Sequence, residues 1–218
     1  MDHILRGVRK FHDEVFPEQE QLFRQIANGQ KPRALFITCS DSRVHPNLIT
    51  QTEPGDLFIL RNPGNIIPPY HAGNDSEAAT IEYAVEVLKV EDIIICGHSD
   101  CGAMSSLLTP GKLNGLPAVI NWLHHAEGTR RIIEAVMKDK GQAECINAAI
   151  KQNVLVQLDH LRTHPAVASK IASGTLNLHG WVYDIPTGEV HQFNPRSGRF
   201  ESLVTESRQK RRMLEAAV

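Results

Sequence analysis

The sequence has no apolar stretch long enough to cross a bilayer. Its opening segment, Met1-Asp2-His3-Ile4-Leu5-Arg6-Gly7, also lacks the apolar centre that a secretory signal needs. Four cysteines in 218 residues are too few for a disulfide scaffold in a chain of this size. Charge of either sign is not in excess: a formal net charge of −2 gives no general attraction to nucleic acid or to anionic membranes. Internal repeats and low-complexity linkers are absent. The expectation from these absences is a reduced, cytoplasmic protein with neither a nucleic-acid nor a membrane partner. The one concentration of charge, Arg208-Gln209-Lys210-Arg211-Arg212, reads as a solvated helix face.

What is present is ordinary for a globular chain: 41% hydrophobic residues and a length near the upper end of what one core organises. A single domain over 1–218 is expected, with a helical arm over 1–28, a core over 29–195 and a tail over 196–218. In the arm, Ile4, Val8, Phe11, Val15, Leu22 and Ile26 suit two helices broken at Pro17. Ala34-Leu35-Phe36-Ile37-Thr38, Asp56-Leu57-Phe58-Ile59-Leu60-Arg61 and Asp92-Ile93-Ile94-Ile95-Cys96-Gly97 read as strands. Between the last two, Ala78 to Leu88 has apolar residues on more than one face, as a well-buried helix does. Strands that are continuously apolar and alternate with helices indicate an α/β fold with a mostly parallel central sheet flanked by helices. From Val119 to Leu161 the chain reads as helices, with Trp122, Leu123, Ile132, Ile133, Val136, Ile146, Ala149, Val154, Leu155 and Leu158 as core candidates. Leu176 to Ile185 is a further strand, turned back at Thr187-Gly188 into Val190-His191-Gln192-Phe193.

Cys39 ends one predicted strand, and His98-Ser99-Asp100-Cys101 follows another. Ligands on an open α/β sheet gather at the carboxyl ends of strands. Two thiolates and an imidazole suit zinc, and a missing fourth cysteine or histidine leaves the open position of a catalytic site. From spacing alone, two readings stand beside this one: buried thiols with His98 as a cap, and a purely structural zinc site. Cys96 reads as an inert core thiol, and Cys145 as a helix residue without an assignable role. Of the other histidines, His45, His71, His124, His125, His160, His164, His179 and His191 read as surface or structural residues, with proton shuttling open to any of them because imidazole titrates near neutrality.

The motifs Cys39-Ser40-Asp41-Ser42-Arg43 and Gly97-His98-Ser99-Asp100-Cys101-Gly102-Ala103 resemble those of the β-class carbonic anhydrases, in their bacterial and cyanobacterial branch. The likeness continues through Gly55-Asp56-Leu57-Phe58, Arg61-Asn62, Gly64-Asn65, Pro68-Pro69, Ile81-Glu82-Tyr83-Ala84 and Leu178-His179-Gly180-Trp181-Val182-Tyr183, over about residues 30–195. It implies a lyase that reversibly hydrates carbon dioxide to bicarbonate by attack of zinc-bound hydroxide, with zinc on Cys39, His98 and Cys101. It further implies a catalytic pair, Asp41 and Arg43, with Asp41 able to move onto zinc in a closed state. Gln30, Phe58 and Tyr83 would contact substrate near a dimer interface, in a homodimer or larger homo-oligomer. Phe36, Arg61 and Tyr183 would occupy the positions of a non-catalytic bicarbonate pocket, with a phenyl ring where an indole N–H is needed. Two alternatives remain: a carbon disulfide or carbonyl sulfide hydrolase on the same scaffold, and a non-catalytic relative. A cytoplasmic location is expected; the short stretch after Arg212 does not support residence in a carboxysome.

Overall fold

The computed structural model describes residues 1–71 and 75–204. The basic run 208–212 lies outside the described residues. Among the described residues one sheet of six strands forms: β1 (Ala34–Cys39), β2 (Leu57–Asn62), β3 (Asp92–His98), β4 (Asn177–Tyr183), β5 (Val190–Asn194) and β6 (Arg199–Ser202). The spatial order is β2-β1-β3-β4-β5-β6. The first four strands run parallel, and β5 and β6 are added antiparallel. The α/β, mostly parallel reading therefore holds. The segment expected to be tail from residue 196 onward contributes β6, which pairs Phe200 with Phe193 of β5.

β1 is buried along its whole length because helices cover one face of the sheet and an aromatic cluster the other. The helical side buries Leu35, Ile37, Ile93 and Ile95; the other side packs Phe36, Ile94 and Cys96 against Trp181 and Tyr183. Chain order places β1 at the switch point. The connection from β1 leads to β2 on one side, and the next strand, β3, lies on the other, so a crevice opens at the carboxyl ends of β1 and β3.

The longest helix, Gln142–Arg162, lies across β3 and β4. It comes so close that a Cβ on Gly180 would stand 2.8 Å from Val154 Cγ1 and 3.0 Å from Leu158 Cδ1. Of the core candidates over 119–161, Ile132 and Val136 instead face outward, 38% and 68% exposed. The helix Glu127–Val136 buries only the stripe that carries Thr129 and Ile133. The segment 78–88 differs similarly. It runs as Asp75–Glu82 and a π turn Tyr83–Val87, burying Ile81, Ala84 and Val85 but presenting Tyr83 and Val87 to solvent.

In the arm the helical backbone continues past Pro17. A π turn (Phe11–Val15) precedes the turn Phe16–Glu18, and the break falls at Gln19, beyond the proline. Pro17 follows the π turn on a segment with no buried residue, so water can meet the carbonyl that its missing N–H leaves without a donor. No residue of the helix Asp2–Lys10 is buried. No helix among the described residues is long and apolar enough to span a membrane.

Replacing Gly180 by Ala should destabilise the protein by about 1–3 kcal/mol, because the added methyl overpacks a contact made by branched side chains with little room to move. Urea unfolding of the two proteins checks this; an unchanged midpoint would mean that the helix can rise off the sheet freely.

Candidate metal centre

Cys39 is the last residue of β1 and His98 the last of β3, so parallel pairing alone brings them together. Cys101 is carried in by the turn His98-Ser99-Asp100-Cys101. Asp100 adopts a left-handed backbone conformation there, φ 55°. Ser99 ties that turn to the end of β4: its N–H donates to Tyr183 O at 2.9 Å, and its Oγ accepts from Ile185 N at 2.9 Å. Cys101 then caps the helix Gly102–Leu108, with the amides of Ala103 and Met104 near its sulfur. The three ligand atoms lie within 4.8 Å of one another and all three residues are buried.

Close contacts among the three donors set their protonation. The Cys101 thiol donates to Cys39, with His98 beside it and Gly64 N donating at 3.3 Å, so Cys39 is pushed down to about 4 despite its burial. The same contact, together with burial, holds the other proton on Cys101. His98 Nδ1 lies 2.9 Å from Ser99 O, an acceptor, which puts the ring proton on Nδ1 and leaves the Nε2 lone pair free. Nε2 is sealed from solvent beside the Cys39 sulfur and has no hydrogen-bond partner of normal geometry. An unmet buried acceptor costs on the order of 1–3 kcal/mol, and a cation among the three donors removes that cost.

Asp41 and Arg43 stand at the mouth of the cluster. Arg43 Nε and one terminal nitrogen grip both oxygens of Asp41, at 3.0 and 2.8 Å, and the Arg43 backbone N–H adds a third bond at 2.9 Å. These hydrogen bonds hold Asp41 well below the usual carboxylate range. Asp41 Oδ2 is 3.9 Å from His98 Nε2. The sequence reading missed the other side of Arg43, which donates to the Asp100 carboxylate at 3.3 Å and to the Asp100 carbonyl at 3.1 Å. Arg61 fastens the same loop by donating to Cys39 O at 3.1 Å and Asp41 O at 2.7 Å.

Phe58 and Tyr83 come together at the β2 edge, their rings 6.0 Å apart, with Tyr83 44% exposed. Gln30 is exposed in the loop before β1, where its side chain makes no hydrogen bond among the described residues. Phe36 is fully buried, with its ring edge-on to Trp181 at 6.0 Å. Cys96 is the expected core thiol, pushed up to about 12 by burial. Several histidines have structural partners: His45 caps the helix Pro46–Thr50, His160 and His164 meet the carbonyls of Ile67 and Pro68, and His179 pairs with Asp92 at 2.7 Å.

Buried thiolate and imidazole donors at the strand ends of an α/β sheet, with an ionised carboxylate at the mouth, define the metalloenzyme class. Comparisons with known proteins narrow this. Residues 34–190 match the carbonic anhydrase family model. The chain is 49% identical to a carbonic anhydrase of Pseudomonas aeruginosa, covering 93% of this chain and 92% of that one. It is 46% identical to a carbonic anhydrase of Synechocystis, covering 94% and 78%. Among solved structures it superposes on the β-carbonic anhydrase CcaA with a TM-score of 0.91, 47% identity, and coverage of 93% and 98%. Two tetrameric β-carbonic anhydrases from Sordaria macrospora were described together; the matching chain gives a TM-score of 0.77, 30% identity, and coverage of 88% and 96%. The chain belongs to the β-carbonic anhydrase family and is an enzyme of that class.

Cys101→Ala should abolish tight metal binding, because three protein donors are the minimum for a catalytic site of this type. Elemental analysis of purified wild type and variant measures it; a full equivalent of metal in the variant would remove Cys101 from the ligand set.

Proposed function

We propose that this protein reversibly hydrates carbon dioxide to bicarbonate and a proton, with zinc held by Cys39, His98 and Cys101. The observation that carries the reading is the sealed Cys-His-Cys donor set with an ionised, arginine-clamped carboxylate 3.9 Å from its imidazole nitrogen. Two sulfurs and one nitrogen suit zinc, and three protein donors leave one tetrahedral position for reacting water. Bound zinc supplies a Lewis acid that makes water a competent nucleophile near neutral pH.

The chain's own residues do the rest. Asp41 keeps lone pairs on the side facing the cluster and accepts a hydrogen bond from the attacking water, fixing its orientation. Arg43 holds Asp41 in that position, and Asp100 braces Arg43 from the far side. With Asp41 so held, it stays out of the donor set, and the closed arrangement requires breaking its bonds to Arg43. Phe58 pairs with Leu35, four residues before Cys39, so it and Tyr83 stand away from this chain's own donors and offer carbon dioxide, a small molecule without net dipole, an apolar wall at the donors of a second copy. Gln30 completes the substrate site from a second copy of the chain. Arg61 is already committed to two backbone carbonyls and Phe36 has no donor. An anion at that second position is left short of donors, with only the remaining Arg61 N–H groups and the Tyr183 hydroxyl to meet it, so no strong bicarbonate-driven switch is expected of this enzyme.

A homodimer or larger assembly follows from the same reading. Tyr83, Val87 and Ile59 are exposed around the β2 edge, and Ile4, Leu5, Val8 and Phe11 are exposed on the arm. Isolated chains would leave these apolar groups in water.

Asp41→Asn should retain zinc but lose turnover by a factor on the order of 10²–10⁴, since the amide neither carries the charge paired to Arg43 nor takes a proton. Stopped-flow carbon dioxide hydration with parallel metal analysis tests it, and unchanged kinetics would reduce Asp41 to a loop brace. Negligible hydration by the wild-type protein beside brisk sulfide release from carbon disulfide or carbonyl sulfide would replace the proposed substrate. Light scattering at assay concentration should find no active monomer; an active monomer would refute the shared site.

A further inference from the structure

The loop after β2 delivers one hydrogen bond to the metal centre, from Gly64 N to Cys39 Sγ. That loop is gripped on both sides of Gly64. Trp122 Nε1 donates to Pro63 O at 2.7 Å, and this carbonyl belongs to the same peptide group as the Gly64 N–H. Asn153 Nδ2 donates to Gly64 O at 2.9 Å, in the next peptide group. Asn153 does not act alone. Its Oδ1 accepts from Gln157 Nε2 at 2.9 Å and from Thr129 Oγ1 at 3.4 Å, while Gln157 Oε1 accepts from Ile67 N at 2.8 Å. Asn153, Gln157 and Thr129 are all buried. Two amides one turn apart on the core face of a helix are costly unless their hydrogen bonds are met, and here each bond goes to the loop or within the group. Gly64 itself has φ +84°, and a Cβ there would stand 3.0 Å from Ala103 Cβ, so a larger residue would push the amide off the sulfur.

We infer that Trp122 and Asn153 are positioning residues for the metal centre: together they aim the Pro63–Gly64 amide at the Cys39 sulfur. Trp122 also strengthens that donor, because a hydrogen bond received at a peptide carbonyl polarises the N–H on the other side of the same group. A hydrogen bond to a coordinated thiolate draws electron density from sulfur and leaves the metal a stronger Lewis acid. A site with two thiolates, whose negative charge weakens the metal as an acid, gains most from such a donor. The inference rests on Cys39 being a metal ligand, as proposed above.

Cobalt(II) substitution tests it, read by the sulfur-to-cobalt charge-transfer absorption in the near ultraviolet. Trp122→Phe keeps an aromatic ring and removes the donor; Asn153→Leu removes the second grip. Both variants should bind cobalt, absorb at longer wavelength than wild type, and hold cobalt roughly 10–100-fold less tightly against a chelator. Ile133→Val, a core truncation one turn from Thr129 that removes none of these hydrogen bonds, should absorb at the wild-type wavelength. A wild-type band in cobalt-loaded Trp122→Phe, or an equal shift in Ile133→Val, would overturn the inference. Wild-type protein that takes up no cobalt would instead refute the metal-site reading. Trp122→Phe decides alone if Asn153→Leu fails to fold, because Trp122 is only partly buried and its ring is retained.

Discussion

Two thiols and an imidazole crowd together, shut off from water, at the carboxyl ends of β1 and β3. Left to themselves they are unfavourable: a thiolate has lost its hydration, and His98 Nε2 has no partner. Much of the surrounding structure compensates for this cost. The Gly64 amide faces the Cys39 sulfur, the Ala103 and Met104 amides face Cys101, and the Ser99 carbonyl settles which imidazole nitrogen carries the proton. A divalent cation bound there would unite donors that otherwise repel or go unmet, which would link metal binding to local stability.

The carboxylate and arginine at the mouth work at longer range. Two arginines, Arg43 and Arg61, hold the loop that carries Asp41, one through the side chain of Asp41 and the other through backbone carbonyls. Arg43 keeps the Asp41 carboxylate ionised, while the thiolate is held by the Cys101 thiol, His98 and the Gly64 amide. Because Arg43 uses both oxygens of Asp41, the carboxylate is fixed in one orientation at the mouth of the cluster. The same pairing opposes movement of Asp41 toward the donors, so the open arrangement is held by hydrogen bonds rather than by distance.

Legibility from sequence varied with the range of the interaction. The strands were readable because each is a continuous apolar run; spacing left other readings open for Cys39, His98 and Cys101, and the family resemblance of the two motifs singled out those three together with Asp41 and Arg43. Surfaces were misread where apolar residues were assumed to face inward: Val87, Ile132 and Val136 are exposed in the single chain. Hydrophobicity reports that a side chain prefers burial, not whether its own chain supplies the cover. β6 went unread because Arg199–Ser202 is short and mixed, and becomes a strand only by pairing with β5. Asp100 was visible as a motif residue, but its grip on Arg43 depends on the left-handed turn that precedes Cys101.

By itself the sequence determined the α/β class, through apolar runs of local pattern, and its two motifs, through their family resemblance, named three metal-type donors and the carboxylate–arginine pair. Tertiary structure decided that the donors meet within 4.8 Å, that Asp41 is clamped rather than free, and that Trp122, Asn153 and Gln157 serve the loop behind Cys39. Gly64 lies 89 residues from Asn153 and 25 from Cys39 along the chain. Contacts over such separations depend on how helix Gln142–Arg162 seats against Gly180 of the sheet, and nothing in the local pattern around any one of those residues carries that information.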